Sequence, residues 1–278
     1  GDAAAAENGS GAAPAAVDPL VGVDLSAVAL RRAVARGKRY VETRAGCSEC
    51  HASDFGGKVI MDNPAMGRWV APNVTRGGVV KDYKPEDWVR IIRHGLRPDG
   101  TAATMPSTDY ARFSDQEISD IAAFIQSLPK VDRIMEPSER GPVMALLVVK
   151  GDIPISAELI DHTAARLKYP PPVAATLELG EHLAAVCSGC HGHEFSGGPI
   201  LGGDPAWPPA SNLTFDATGL GKWSLQDFDK SLREGVRPDG RKLDPVMPVA
   251  YTARFKPAEI EALYLYFQSV PKKPYGNH

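Results

Sequence analysis

Residues 47–51 have the sequence CSECH, and residues 187–191 have the sequence CSGCH. The two stretches lie 140 residues apart and contain all four cysteines of the 278-residue chain. Each is followed by Asn-x-Thr, RPDG, Met-Pro and Ala-Arg-Phe in the same order, between residues 73 and 113 in the first copy and between 212 and 255 in the second. Chance does not preserve such an order, so the sequence indicates an internal duplication.

Each copy is predicted to be a set of helices joined by long loops. A capping box at Ser114 and Glu117 opens a terminal helix that ends before Pro129, and Pro257 opens its counterpart, which ends before Pro271. One apolar stripe runs along each helix, formed by Ile118, Ile121, Ala122, Ile125 and Leu128 in the first copy and by Ile260, Leu263, Tyr264, Phe267 and Val270 in the second. The predicted fold class is therefore all-α.

Two further helices are predicted in each copy. A middle helix is expected over residues 85–94 and, in the second copy, from the N-cap Ser224 to residue 234, and a glycine ends each of them. A first helix leads into each cysteine stretch and is expected to end near Arg44 and near Ala185. The duplication thus predicts the same three helices twice.

Four segments are expected along the chain. Residues 1–17 are mainly Ala, Gly, Ser and Pro, a composition that favours a flexible arm. Residues 18–130 and 172–278 form the two domains. Residues 131–171 form a proline-rich connector, for which an extended conformation is expected.

Composition and charge exclude two classes of protein. A formal net charge of −3 and scattered basic residues provide no stripe for a phosphate backbone, so no nucleic-acid partner is expected. The aliphatic run VMALLVV at 143–149 is too short to cross a bilayer and is predicted to be a buried strand or helical turn. No export signal opens the numbering, so any export signal or membrane anchor is expected to have been removed before residue 1.

Cys-x-x-Cys-His is the attachment motif for covalent haem. In this motif the thiols of Cys47 and Cys50, and of Cys187 and Cys190, add to porphyrin vinyl groups, and the adjacent His51 and His191 are placed to bind iron. The alternatives are one four-cysteine zinc site or disulfides. Both are disfavoured because each motif carries a histidine and lies in its own repeat.

A second axial ligand is predicted from the repeat. Met105 and Met247 are the two methionines at equivalent positions, and each is followed by Pro and then by the terminal helix. Met with His is the ligand pair that raises the potential of an electron-carrying haem. The other four methionines are assigned to core or surface.

Four repeated polar residues are candidate haem contacts. Asn73 and Asn212 are predicted to hydrogen-bond a propionate, with capping of a local turn as the alternative. Arg97 and Arg237 are predicted to neutralise a propionate, with a simple role in the RPDG turns as an equal alternative.

The whole pattern resembles class I cytochrome c domains over residues 18–271. More narrowly, it resembles the multihaem cytochrome c subunits of membrane-associated bacterial alcohol, aldehyde and gluconate dehydrogenases. The resemblance implies two tandem class I cytochrome c domains with one covalent haem c each. Those subunits commonly have three haem domains, whereas this chain has two.

Two functions are compatible with these motifs. The favoured one is a dihaem electron carrier without catalytic residues, which takes electrons from a dehydrogenase or quinol-linked complex and passes them to a cytochrome or terminal oxidase. The alternative is a dihaem redox enzyme of the peroxidase or thiosulfate dehydrogenase type, which requires an open or unusual iron site. Because thioether attachment is completed outside the cytoplasm, a periplasmic or extracytoplasmic location is expected, with tethering to the membrane as a variant.

Overall fold

The computed structural model describes residues 25–153, 155–200, 203–204 and 206–276, and the predicted arm at 1–17 lies outside these described residues. The first unit contains α1 (Leu25–Tyr40) with a π-helical turn at Val41–Ala45, α2 (Cys47–His51), β1 (Lys58–Asn63), β2 (Gly67–Ala71), α3 (Pro85–His94), a 3₁₀ turn at Ser107–Asp109, and α4 (Asp115–Ser127). The connector contains β3 (Glu139–Arg140), α5 (Pro142–Lys150) and α6 (Ser156–Leu159). The second unit contains α7 (Leu177–Ala184), a 3₁₀ turn at Ala185–Cys187, α8 (Ser188–His191), α9 (Leu225–Glu234), α10 (Val249–Thr252) and α11 (Pro257–Ser269).

The predicted helices are confirmed, together with the residues that end them. Ser114 and Ser224 cap α4 and α9 by accepting hydrogen bonds from backbone amides. Gly95 and Gly235 end α3 and α9 in the left-handed conformation, at φ values of 66° in both cases. The chain is mostly helical because these local signals agree with the apolar stripes that the helices bury.

A small sheet corrects the all-α expectation. Strands β1 and β2 form an antiparallel hairpin in which Lys58 pairs with Ala71, and β3 pairs with β2 at its other edge. Asn63 forms the turn, since its side-chain oxygen accepts hydrogen bonds from the amides of Ala65 and Met66. Among the residues described in the corresponding region of the second unit, Gly198 and Ala210 form one bridge.

The connector is more structured than an extended segment. Met144 in α5 is 2% exposed and packs inward, which agrees with a core position for that methionine. The same run was expected to be buried throughout, and this is wrong for Val143, Leu146 and Val149, which are 42%, 57% and 84% exposed. A helix that packs on one side buries one face only, and Val143, Leu146 and Val149 lie on the face opposite Met144.

Each unit is built around the crossing of its first and terminal helices. Gly37 in α1 lies against the carbonyl of Asp120 in α4, and Gly180 in α7 lies against the carbonyl of Ala262 in α11. A Cβ at either glycine would overlap the facing backbone, so only glycine permits this close approach. Phe113, Ile118 and Ile125 are central to the first core, and Ile260, Leu263 and Phe267 to the second.

The two units pack against each other with approximate two-fold symmetry. Glu117, at the start of α4, accepts a hydrogen bond from His182 of α7, and Glu259, at the equivalent place in α11, pairs with Arg39 of α1. Two more exposed ion pairs also join the units. Arg112 of the first unit pairs with Glu181 of the second, and Arg254 of the second pairs with Glu42 of the first. The interface is therefore formed by equivalent surfaces of the two repeats.

Candidate functional site

The two cysteine motifs lie at the end of the first helix of each unit. Cys47 and Cys187 are half-buried, whereas Cys50 and Cys190 are exposed, and all four are free thiols. Burial raises the pKa of the Cys47 and Cys187 thiols to about 12, so both are protonated at neutral pH. The structure thus presents two separate pairs of thiols in matching environments.

The two motif histidines are oriented identically. The Nδ1–H group of His51 donates to the carbonyl of Pro72 at 2.8 Å, and that of His191 donates to the carbonyl of Ser211 at 2.7 Å. A neutral imidazole that donates from Nδ1 carries its lone pair on Nε2, which is the atom needed for iron. Burial lowers the pKa of both histidines, although these hydrogen bonds oppose the shift, and burial therefore favours the neutral ring.

A strained loop follows each histidine and fixes its backbone. The amides of Gly57 and Gly197 donate to the carbonyls of His51 and His191 at 2.9 and 3.0 Å. Between them, Phe55 and Phe195 have φ values of 59° and 60°, a left-handed conformation that costs about 1 kcal/mol or more for a residue with a side chain. Their rings pack edge-to-face on Phe124 and Phe267 of the terminal helices, which offsets that cost.

The two methionines lie on equivalent loops. Met105 is half-buried against the first core, and Met247 against the second. The prolines that follow them have nearly the same backbone angles, φ −76° and ψ 61° for Pro106 and φ −79° and ψ 63° for Pro248. This similarity is what a shared role in the two repeats requires.

A hydroxyl group ties each methionine loop to the middle helix of its unit. Ser107, fully buried, donates to the carbonyl of Ile91 in α3 at 2.9 Å. Thr252 donates to the carbonyl of Leu232 in α9 at 2.7 Å. The loops therefore have fixed positions relative to the helices.

The repeated asparagines connect the site to the segment that follows each terminal helix. The Asn73 amide donates to the carbonyls of Val131 and Arg133, and its oxygen accepts from Thr75. Asn212 likewise donates to the carbonyl of Lys273. The bonds that the Asn73 oxygen accepts from Thr75 correspond to the turn-capping alternative, and a contact of Asn73 and Asn212 with haem stays a prediction.

The two arginines of the RPDG turns have different surroundings. Arg97 donates to the carbonyl of Ala102 within its own turn. Arg237 lies over the ring of Trp223 at 5.8 Å from its centroid and reaches the hydroxyl of Ser211, the residue whose carbonyl holds His191. Arg237 is thus next to the site of the second unit, and the role of both arginines toward a propionate stays a prediction.

Two of the remaining histidines, His94 and His162, are paired with each other. His94, at the end of α3, and His162, in the connector, face each other with their Nδ1 atoms 2.9 Å apart. They line a cavity of about 500 Å³ together with Glu86 and Arg90. His193 is exposed, as expected.

His182 belongs to a buried ionic cluster between the units. Its Nε2 donates to both carboxylate oxygens of Glu117 at 3.0 and 2.9 Å, and Arg44 donates to the same carboxylate. The side chains of Arg44, Glu117 and His182 are at most 5% exposed. Burial alone would raise the pKa of Glu117, but the hydrogen bond from His182 and the charge of Arg44 lower it to about 2.

The residues present fit covalent haem in both units. Each unit offers two thiols, an imidazole whose Nε2 carries the lone pair, and a thioether on an anchored loop. Within the described ranges, no group of three or more His, Cys, Asp or Glu side chains could hold a metal ion, so the four cysteines do not form a common cluster there. In the same part of the chain, no helix is both long and apolar enough to span a membrane.

Several residues that shape the site were not singled out from the sequence. Phe55 and Phe195 lie 140 residues apart, so the repeat alone carried a signal for them. His182 has no histidine at its equivalent position, and only the three-dimensional structure reveals its partner Glu117, 65 residues away.

Comparison with known proteins confirms the resemblance to c-type cytochromes. Residues 32–125 match the family described as cytochrome c oxidase, cbb3-type, subunit III. That match covers the first unit and its cysteine motif. A cytochrome c domain of this kind implies covalently bound haem c.

Curated relatives point the same way. The chain is 37% identical over 36% of its length to a subunit of the nicotinate dehydrogenase of Pseudomonas putida, and covers 9% of that protein. It is 31% identical over 37% of its length to the cytochrome c subunit of a quinone-type alcohol dehydrogenase from Gluconacetobacter polyoxogenes, and covers 24% of that subunit. It therefore spans at most about a quarter of these relatives' length.

A third relative is similar along both repeats. The chain is 24% identical over 266 residues to a protein named diheme cytochrome c-type from Cereibacter sphaeroides, and the alignment covers 85% of each chain.

Proposed function

We propose that this chain is a dihaem electron carrier that binds one haem c in each repeat. Cys47 and Cys50 hold the first haem, with His51 and Met105 as iron ligands. Cys187 and Cys190 hold the second, with His191 and Met247 as ligands. The observation that carries the proposal is that His51 and His191 donate from Nδ1 to equivalent carbonyls, which leaves Nε2 for iron in both units.

The haem supplies a one-electron couple between ferric and ferrous iron. The protein's own residues orient and enclose it. The carbonyls of Pro72 and Ser211 hold the imidazole rings, and the hydroxyls of Ser107 and Thr252 hold the methionine loops. A methionine at the equivalent position of both repeats favours carrier function over a peroxidase or thiosulfate dehydrogenase, which needs an open or unusual site.

The partners are proposed from the relatives. Several are named as cytochrome c subunits of dehydrogenases and one as an oxidase subunit. We infer that the donor is a dehydrogenase or quinol-oxidising complex and that the acceptor is a cytochrome or terminal oxidase. A periplasmic or other extracytoplasmic location follows from the proposed thioether chemistry, and membrane association through a preceding segment is part of the same proposal.

Ligand replacement tests this function. In the holoprotein, Met105→His and Met247→His should each lower the reduction potential of one haem, because imidazole replaces the thioether that favours ferrous iron. Each should also remove half of the methionine-to-ferric-iron charge-transfer absorption. Met61→Ala is the control and should leave both signals unchanged.

Two results would contradict the proposal. A denatured chain whose mass shows fewer than two bound haems would remove the dihaem assignment. A Met105 or Met247 variant that keeps both potentials and the full charge-transfer band would remove the ligand assignment for that unit.

A further inference from the structure

The segment that follows each methionine is bonded to its own unit and also contacts the cysteine motif of the other. We call residues 107–110 and 249–252 the crossing segments. They begin two residues after Met105 and Met247, respectively. Because the duplication relates them, the two contacts form a crossed pair about the approximate two-fold axis of the interface.

The second crossing segment reaches the first motif through Tyr251. Its hydroxyl donates to Glu49 at 2.6 Å and lies 3.4 Å from the hydroxyl of Ser48. Ser48 and Glu49 are the two residues between Cys47 and Cys50. The contact therefore reaches the part of the motif that lies between the two thiols.

The first crossing segment reaches the second motif through Asp109. A Cβ built on Gly189 would come within 2.5 Å of the Asp109 carboxylate, so this carboxylate lies directly against the glycine between Cys187 and Cys190. Gly189 leaves room for the Asp109 carboxylate, whereas a glutamate at position 189 would repel it. In the first motif, the equivalent residue is Glu49, and it faces a tyrosine hydroxyl instead.

Consecutive residues of the first crossing segment contact both motifs. Asp109 lies against Gly189, while Tyr110 donates its hydroxyl hydrogen to the carbonyl of Ala45, two residues before Cys47, at 2.8 Å. Val186, the residue before Cys187, packs against the core of the first unit. The first crossing segment and Val186 thus place the surroundings of the two attachment motifs in contact at the interface.

We propose that Tyr251 and Asp109 are positioning residues that hold the two haem sites in one fixed mutual arrangement across this crossed contact. The inference rests on the proposed dihaem function and adds a role to residues that bind no iron. Thioether bonds to the motif cysteines would place one edge of each porphyrin beside the contact. With a haem c bound at each site, one electron would be exchanged between the two, one iron being oxidised from ferrous to ferric as the other is reduced from ferric to ferrous, and no proton or atom would be transferred.

Soret circular dichroism of the oxidised holoprotein tests this arrangement, because two haems held close in a fixed orientation give paired bands of opposite sign. Gly189→Glu should abolish the pair, since the longer acidic side chain collides with the Asp109 carboxylate and repels it. Haem attachment should survive, because the first motif already has glutamate at this position. Tyr251→Phe, which loses only the hydroxyl contact, should weaken the pair.

Tyr169→Phe is the matched control, since Tyr169 is 61% exposed and lies in the connector. It should leave the dichroism unchanged. The double variant Asp109→Tyr with Gly189→Glu reproduces the tyrosine–glutamate contact of the other crossing and should restore the paired bands. Internal electron exchange after flash photoreduction should slow in Gly189→Glu and recover in the double variant.

The outcomes separate this inference from the proposed function. If the mass shows two haems while Gly189→Glu and Tyr251→Phe keep both the dichroism and the exchange rate of the parent, the positioning role is wrong and the carrier function stands. Dichroism that changes without any change in exchange would also overturn the inference. A mass with fewer than two haems would instead reject the proposed function.

Discussion

The first unit supports the loop after its cysteine motif with a three-stranded sheet, whereas the described residues of the second unit show one bridge, between Gly198 and Ala210, beside the equivalent loop. Despite this difference, His51 and His191 are held by the same hydrogen bond, and Phe55 and Phe195 have the same strained conformation. The comparison teaches that the conformation of the residues around each predicted haem site does not depend on the β-structure beside it. Duplication preserved the site and left the periphery free to diverge.

The interface shows a different kind of divergence between the repeats. Glu117 and Glu259 occupy the same position in their terminal helices, and both reach a basic residue of the other unit. Glu117 is fully buried with His182 and Arg44, but the side chain of Arg39, the partner of Glu259, is 30% exposed. One half of the approximate two-fold interface is therefore a dry ionic cluster, and the other half is partly solvated.

The largest expected loss of unfolding free energy comes from removing the charge of Glu117 in the buried half of the interface. Glu117→Gln leaves the Arg44 cation buried without an opposing charge and should cost about 3–5 kcal/mol of unfolding free energy. Glu259→Gln should cost about 1 kcal/mol or less, because water can solvate Arg39. Guanidinium unfolding of both holoprotein variants measures the difference. Equal losses would show that the two halves of the interface are energetically alike.

The stability contributed by Glu117 should also depend on pH. The pKa of Glu117 falls from an ordinary value of 4.5 to about 2 on folding, so its contribution is fully present above about pH 4.5 and is lost as the pH falls toward 2. The shift corresponds to about 3 kcal/mol of the unfolding free energy. Unfolding measured at several pH values should show a flatter acid profile for Glu117→Gln than for the parent protein. A Glu117→Gln profile as steep as the parent's would assign the acid sensitivity to other carboxyl groups.

How much the sequence predicts depends on how local the determining contacts are. Ser114, Ser224 and the glycines that end α3 and α9 act within one turn, and the helices were predicted at the observed bounds. The cysteine, histidine and methionine positions were predictable because the repeat presents them twice. Their assignment as haem ligands is the part that the ligand-replacement experiment must decide.

The unpredicted features depend on contacts between distant segments. The sheet requires β2 to pair with β3, about 70 residues further along the chain, and the part of the second repeat that the structure describes shows no equivalent hairpin. Asp109 and Tyr251 occupy equivalent positions but differ in chemistry, so the repeat does not mark them as a matching pair. A repeat reveals what both copies share, whereas the interface between the copies depends on how they differ.

The helix crossings offer a comparison in which the units should behave alike. Gly37→Ala and Gly180→Ala each force a methyl group into a facing backbone carbonyl and should cost about 1–3 kcal/mol. Gly100→Ala is the control. Apart from its neighbours along the chain, no atom lies within 4 Å of the position that a Cβ at Gly100 would take, and only the φ of 84° opposes the substitution. That backbone strain should cost about 1 kcal/mol. Thermal unfolding of the three variants measures the costs. A much smaller loss for Gly180→Ala than for Gly37→Ala would show that the second crossing is looser than the first.

The smallest effect on stability is expected at a surface ion pair that both units have at equivalent positions, with arginine as the cation in the first unit and lysine in the second. Arg133 donates to Asp54 at 2.7 Å and also to the carbonyl of Gly57, whereas Lys273 pairs with Glu194 at the equivalent position. The hydrogen bond from Arg133, followed by that from the Gly56 amide, lowers the pKa of Asp54. Arg133→Lys should raise this pKa toward its ordinary value, because an ammonium group cannot form the same two-pronged contact.

Nuclear magnetic resonance titration of the Asp54 carboxyl group measures this change. The thermal midpoint should move less than it does in Glu259→Gln, since both members of the pair are exposed and water screens their attraction. Lys273→Arg is the reciprocal control and should leave the Asp54 titration unchanged. If Arg133→Lys lowers the midpoint more than Glu259→Gln does, the arginine stabilises the motif loop chiefly through the Gly57 carbonyl, and the two units differ in more than the cation of an exposed pair.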